Sequence, residues 1–448
     1  MFKKSENHNI NYCAKIIKLG EPVKHKQADR LQGWLIDHNR VWTNMDYNEG
    51  DTVVYFPLEC CINPELLSYL NLFRDKTKNS NPEEAGFFDD NGRVRALKLR
   101  GEPSEGFLLP LQEVLDWLST VEGTTRITEP DDNQEFDCYI SYVDETPIQI
   151  CKKYIPKNSR VQGTGNKSQA KKKLTEQIVE GQFNLHRDTE QLKKHIDEVN
   201  PGDIISITYK LHGTSAVFSN ILVKRVLSRF ERFLKWCGVN IQETKYGNVY
   251  SSRTVIKDVD GIKHSEGGFY GTDIWGIVND EIKDKILQGY SIYGEIVGFL
   301  PDGKAIQSKY DYGCEPNQHA FYVYRITHTN PEGHVHELGW QDLKDYCNKF
   351  GLNHVPEMYF GKAINHLDFF QEIENDFSGI LLQELMNRYL EKDCHMCSNK
   401  VPAEGIVLRI EKGNKPAFKL KSFRFLGMES EQLDTGEIDL ESQESQTE

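Results

Sequence analysis

The chain has 448 residues, 38% of them hydrophobic and 27% charged, with a formal net charge of −14. That length suits two or three domains of ordinary size, and the composition is that of a soluble globular protein. No run approaches the roughly 20 apolar residues of a membrane-spanning helix, and the start, "MFKKSENHNINYC", lacks the apolar core of a secretory signal. A cytoplasmic, membrane-free protein is expected. Its ten cysteines are irregularly spaced and are expected to be reduced. The "CHMC" pair, Cys394 and Cys397, has no second CxxC to complete a zinc site.

The charge is unevenly spread. Residues 429–448 hold eight acidic side chains and no Lys or Arg, and are expected to be a disordered tail. Residues 151–175 hold eight Lys or Arg and no acid. A local cationic segment of this kind matters more to a polyanion than the net sum does.

Along the chain, residues 1–125 read as short strands between turns. "RLQGWLID", "RVWTN", "DTVVYFPL", "RVRALKLR" and "EGFLLPL" are β-branched, aromatic and aliphatic runs punctuated by Gly, Asn, Asp and Pro. They predict a small β-barrel, an OB-fold or another small β-domain, followed by the helix "LQEVLDWLSTV". Residues 126–180 read as a polar, basic linker, suited to a solvated connector or to phosphate-backbone contacts. From 181 to 428 strands and helices mix. "DIISITYK", "YSIYGEIVGF", "AFYVYRITH", "EGIVLRI" and "AFKLKSF" predict strands; "VLSRFERFLKWC", "WQDLKDYCNKF" and "SGILLQELMNRYLEK" predict amphipathic helices. The fold class expected is α+β.

The candidate chemistry begins at "YKLHGTS". Strand alternation puts Ser206, Thr208, Lys210 and His212 on one face and Ile205, Ile207 and Tyr209 on the other. Gly213 then permits a tight turn or close approach to a ligand. Further on, Arg253 ends a strand-like run, Glu295 lies between apolar neighbours, Glu404 leads a strand, and Lys419 and Lys421 share a face. An isolated charge on an apolar strand carries a desolvation cost unless it is paired or bound to a ligand. Three lysines, one arginine and two glutamates in one domain suit phosphates plus a divalent metal.

Lys210-Leu-His-Gly resembles the Lys-x-(Asp/His)-Gly motif of covalent nucleotidyltransferases, the polynucleotide ligases and messenger-RNA capping enzymes. Arg253, Glu295, "FYVYRI", Glu404 and "FKLKS" follow in that superfamily's order, over roughly residues 200–425. The histidine variant, "IQSKYDYG" and "FYVY" are similar to phage double-strand-type RNA ligases. "DTVVYF" and "RVRALKLRGEPSEGFLLPL" resemble the N-terminal OB module of Naegleria-type RNA ligases. DNA ligases and capping enzymes carry a further OB domain after the last shared motif, for which the residues after Ser422 leave no room.

The resemblance implies an OB domain followed by a nucleotidyltransferase (ATP-grasp-like ligase) domain. It implies an ATP-dependent RNA ligase that seals 3′-hydroxyl and 5′-phosphate ends, nicks foremost, with Mg²⁺ or Mn²⁺ and RNA as substrate. Lys210 would be the nucleophile that forms lysyl-AMP, with Lys419, Lys421 and Glu404 assisting. His212, Gly213, Arg253, Glu295, Tyr324, Glu404, Lys419 and Lys421 would bind the nucleotide, Tyr324 by stacking on adenine. Glu295, Glu404 and His212 would hold the metal, partly through water. A free lysine has a pKa of about 10.4, and neighbouring cations would push Lys210 towards the nucleophilic neutral amine. Naegleria-type enzymes have Asp at the position of His212; a histidine brings no negative charge, so the metal's water shell would be held differently. Residues 223–250 look like an inserted helix, with a solvated face or an RNA contact as its two readings. A monomer is expected, and a phage or viral origin is compatible with these resemblances. The alternatives are a DNA ligase, a GTP-using capping enzyme, and a catalytically silent nucleic-acid-binding protein.

Overall fold

The computed structural model describes residues 1–124, 127, 130–155, 174–186, 188–263, 272–367 and 376–435. The described chain is mixed α/β and divides into two compact units. The first contains Met1–Ile155, Glu190–His195 and Phe423–Thr435; the second contains Ile196–Ser422 and the described part of Pro156–Thr189.

In the first unit the expected strands lie at Gln32–Ile36, Asn39–Thr43, Thr52–Phe56, Leu97–Leu99 and Phe107–Pro110, and the expected helix at Leu111–Glu122. Thr52–Phe56 pairs on both sides, with Ala14–Lys18 and Phe107–Pro110. Four of its five residues are buried, which accounts for its continuous apolar sequence. Gln32–Ile36 and Asn39–Thr43 form a hairpin whose two turn residues, Asp37 and His38, have φ of 45° and 60°. That handedness matches the twist of the strands. The helix buries Val114, Leu115, Trp117 and Leu118 and stops at Gly123 in the left-handed region.

The expected closed barrel is not found. The strands fall into separate sheets, and the hairpin pairs onward only with Val23–Lys24, so no ring of strands closes among the described residues. Residues 135–153, expected in a linker, form short strands of the first unit because Phe136, Cys138, Tyr139 and Cys151 are buried there. The basic residues 156–173 lie outside the described residues. The expected disordered tail is corrected as well: residues 429–435 are the second half of the helix Phe423–Thr435. Residues 436–448 lie outside the described residues.

The second unit holds two antiparallel sheets. One orders Ala417–Lys421, Gly405–Ile410, Ile204–Lys210 and Glu357–Lys362 side by side. The other runs through Thr244–Ser252, Thr214–Lys224, Tyr290–Gly298 and His319–Thr329. The expected helices are at Arg229–Trp236, Trp340–Phe350 and Phe377–Tyr389; Ile274–Ile282 is a further one. Residues 211–213 carry the chain from the first sheet into the second. The strand before them ends at Lys210, so His212 belongs to the turn and does not continue the alternating face on which the sequence placed it.

Candidate active site

Lys210 ends its strand opposite Gly405. Lys421 ends the strand on the other side, also opposite Gly405. Glu404 is the residue before that glycine. Gly405 has φ of 145°, and a Cβ there would lie 2.0 Å from the Leu420 carbonyl oxygen. Only a residue without a side chain lets the strands close here. The closure sets Glu404 between the two lysines: its Oε1 lies 2.8 Å from Lys210 Nζ and 3.4 Å from Lys421 Nζ.

Glu404 is only 3% exposed. Burial alone would raise its pKa, but Lys210 and Lys421 outweigh burial and hold the carboxyl down at about 2. His212 bears on it in the same direction. Its second oxygen, Oε2, is buried with no hydrogen-bond partner among the described residues. A hard, unpartnered oxygen suits Mg²⁺ or Mn²⁺. No cluster of three or more His, Cys, Asp or Glu forms among the described residues. A cation here would therefore complete its shell with water and phosphate oxygens.

Lys210 departs from expectation. Burial lowers its pKa and Lys421 lowers it further, yet Glu404 in direct contact overrides both, and the amine is held above the usual lysine value. The lysine pushed down is Lys419. Burial, then Lys421, Lys210 and Arg253, hold it well below the usual range.

Glu295 faces Ser215 across the paired strands. It accepts hydrogen bonds from Gly213 N at 3.1 Å and Ser215 Oγ at 3.3 Å, which pins the 211–213 turn. A Cβ on Gly213 would lie 2.3 Å from the Ile296 carbonyl. Gln307 Nε2 donates to the Gly213 carbonyl at 2.7 Å, and His212 N donates to the Tyr312 hydroxyl at 2.7 Å. The His212 ring stands edge-on to Tyr310, with centroids 5.1 Å apart. Tyr312 has φ of 48°, rare for a bulky side chain and sustained here by its buried surroundings. Gln307, Tyr310 and Tyr312 all fall in "IQSKYDYG", so that motif held three supports for the turn to which the sequence assigned no role.

Arg253 follows the strand Thr244–Ser252 and pairs with Asp188. Tyr324 is the extra residue at an irregularity: Tyr293 pairs with Arg325 and Gly294 with Val323. Its hydroxyl meets His186 Nδ1 at 3.0 Å. His186 and Asp188 gave no signal in the sequence. Cys394 and Cys397 are free thiols, and Cys394 is drawn down to about 6, first by its hydrogen bond with Cys397.

The structure thus gathers Lys210, Glu404, Lys421, Lys419, His212, Gly213 and Glu295, with Arg253 close enough to act on Lys419. Four basic side chains face two carboxylates at a glycine turn, which suits a polyphosphate with its counter-ion.

Residues 203–421 match the family model for RNA ligase. No curated protein matches the chain. Among solved structures, a point variant of the Naegleria gruberi RNA ligase with ATP and Mn is similar at 14% identity and a TM-score of 0.56. The match covers 94% of this chain and 99% of that one. A variant of the same enzyme without ligand matches at 15% identity and 0.54, over 94% and 99%. A third, with AMP and Mn, matches at 16% and 0.53, over 93% and 98%. Residues 203–421 are thus an RNA ligase domain of the nucleotidyltransferase type, and the protein is an enzyme of the RNA ligase class. Over nearly its whole length it shares the fold of the Naegleria gruberi enzyme. No helix among the described residues is long and apolar enough to cross a membrane.

Proposed function

We propose that this protein uses ATP to seal 3′-hydroxyl and 5′-phosphate RNA ends, nicks foremost, through a lysyl-AMP intermediate. The observation that supports this most directly is the Lys210–Glu404–Lys421 cluster, a lysine at a glycine turn between a buried carboxylate and further basic groups. The choice of ATP and of a divalent ion rests on the similar structures, which hold ATP or AMP with Mn.

In the first step the Lys210 amine, having released its proton, attacks the α-phosphorus of ATP. The bond to the β-phosphate oxygen breaks and pyrophosphate leaves. Lys421 and Arg253 offset the charge that builds on the phosphoryl oxygens. Lys419 recovers its positive charge against the negative triphosphate. A divalent ion held by Glu404, with Glu295 and His212 through water, would supply Lewis acidity at the α-phosphate. In the second step an RNA 5′-phosphate oxygen attacks the same phosphorus; the P–N bond breaks and Lys210 takes back a proton. In the third, the RNA 3′-hydroxyl attacks the activated 5′-phosphate and AMP leaves. Tyr324, on the second sheet, is the stacking surface proposed for adenine.

Incubation with ATP labelled at the α-phosphate and Mg²⁺ or Mn²⁺ tests the reading. Wild-type protein is expected to carry label through a denaturing gel, and Lys210→Ala to carry none. Label from GTP alone would make this a capping enzyme. No label, with mass spectrometry showing no AMP already attached, would leave a silent binding protein. A nicked RNA duplex compared with a nicked DNA duplex then tests the substrate.

A further inference from the structure

The strands Thr214–Lys224 and Thr244–Ser252 are joined through a helix, Arg229–Trp236, that takes no part in the site above. The helix is built to form. Ser228 Oγ accepts from Glu231 N at 3.2 Å, and the Glu231 carboxylate accepts from Ser228 N at 2.8 Å, a reciprocal cap. It is also built to stay open, because none of its residues is buried. Phe230 is 67% exposed, Phe233 55% and Trp236 82%. Aromatic side chains clustered in water mark an interaction surface.

The pattern of charge says what it meets. At about 100° per residue, Arg229 falls between Phe233 and Trp236 around the helix, and Arg232 falls beside Trp236. Rings and guanidinium groups therefore alternate on one face. Lys235 is taken up by Glu243 at 2.6 Å and Arg225 by Glu231 at 2.7 Å. Arg229 and Arg232 have no carboxylate partner among the described residues. The Phe233 and Trp236 rings are tilted by only 33°, with centroids 6.0 Å apart, so they make one platform.

We propose that this helix docks unpaired RNA, with bases stacked on Phe233 and Trp236 and the flanking phosphates held by Arg229 and Arg232. This rests on the reading of the protein as an RNA ligase and adds a surface to it. Stacking platforms interleaved with cations are how proteins hold single strands. A membrane-surface helix separates its apolar and cationic faces, and here they are mixed. A second copy would bring like charges together at the same patch. The helix acts on RNA affinity and leaves the adenylylation of Lys210 alone.

The test uses the full chain, a fluorescent single-stranded oligoribonucleotide, a blunt RNA duplex, and vesicles of phosphatidylserine and phosphatidylcholine. Phe233→Ala with Trp236→Ala should weaken single-strand binding about 10- to 100-fold. Duplex binding and label from ATP should not change. Trp236→Tyr should keep most of the affinity and Trp236→Leu should not, because the leucine is apolar without a π-face. Arg229→Gln with Arg232→Gln should reduce the slope of log affinity against log salt by about one. Unchanged single-strand affinity in the aromatic variant overturns the proposal. So does a helix that proves necessary only for vesicle binding or self-association, or a wild-type chain that binds no single strand. If the wild type takes label and seals nicks while the variants bind RNA normally, only the docking surface falls. If the wild type takes no label yet binds single strands through this helix, the docking surface stands and the ligase reading falls.

Discussion

Glu404 shows what a single residue decides here. Its carboxylate contacts Lys210 and Lys421, and its depressed pKa is the thermodynamic record of those contacts. The sign follows from linkage. A carboxyl with a pKa near 4.3 unfolded and about 2 folded adds stability above the first value and loses it as the pH falls through the second. Glu404→Gln should therefore destabilise the chain by about 3–5 kcal/mol at neutral pH, because two buried ammonium groups lose their partner. The difference from wild type should shrink between pH of about 4.3 and about 2, measured by urea unfolding at each pH. Lys210 adds stability below the usual lysine value and loses it as the pH rises through its raised folded value. Lys419 has the opposite sign. Its depressed folded pKa means that the unfolded chain binds the extra proton, so folding gains as the pH rises towards the usual lysine value. Lys419→Met should stabilise by about 1–4 kcal/mol near pH 7, with the gain fading as the pH approaches about 10.4, and should lose label from ATP. A thermal melt that drops in this variant would overturn the view of Lys419 as a strained, functional amine.

At the scale of elements, the strands were the most legible feature. "DIISITYK" and "YSIYGEIVGF" are rich in β-formers, and both became strands, Ile204–Lys210 and Tyr290–Gly298. Pattern is local, and so is the strand preference it reports. The supports of the site were not legible, because each depends on a partner far along the chain. Asp188 meets Arg253, Gln307 meets Gly213, and Tyr312 meets His212. The direction of the Lys210 shift was missed for the same reason: Glu404, in contact, outweighs the cations that the sequence suggested. Gly405 was invisible because its need arises from the carbonyl of Leu420 on the paired strand. Gly405→Ala forces that strand pair apart and draws Glu404 away from both lysines. It should cost about 2–4 kcal/mol in stability. It should also lower labelling at temperatures where circular dichroism still shows a folded chain. Labelling at the wild-type rate in a folded Gly405→Ala protein would mean that the strand closure does not set the lysine–glutamate contact.

On the scale of the whole molecule, composition misled most clearly at Phe423–Thr435. An acidic run reads as solvated because charges prefer water. A buried arginine reverses that preference. The Arg93 side chain is fully enclosed in the first unit, where Glu59 lies 2.8 Å away and Asp434 and the Ser430 carbonyl also accept its hydrogen bonds. Burial holds the Glu59 carboxyl above its usual range despite Arg93, so Glu59 alone is an incomplete counter-charge. Asp434 supplies the second, and it also meets Arg95 at 3.0 Å. The helix thus follows the last strand of the second unit in sequence but belongs to the first unit. Ending the chain after Ser422 removes Asp434 and Ser430 and leaves Arg93 with one weakened partner. The truncated protein should show selective loss of the first unit's stability by about 3–5 kcal/mol, the cost of breaking a buried charge pair. Proteolysis should then begin within residues 1–155. Asp434→Ala should move in the same direction by less, because its side chain is one-third exposed and solvent screens its share. Restoring the helix as a separate peptide should recover the protection. Equal protection of residues 1–155 with and without residues 423–448 would show that the Arg93 cluster does not govern this unit's stability.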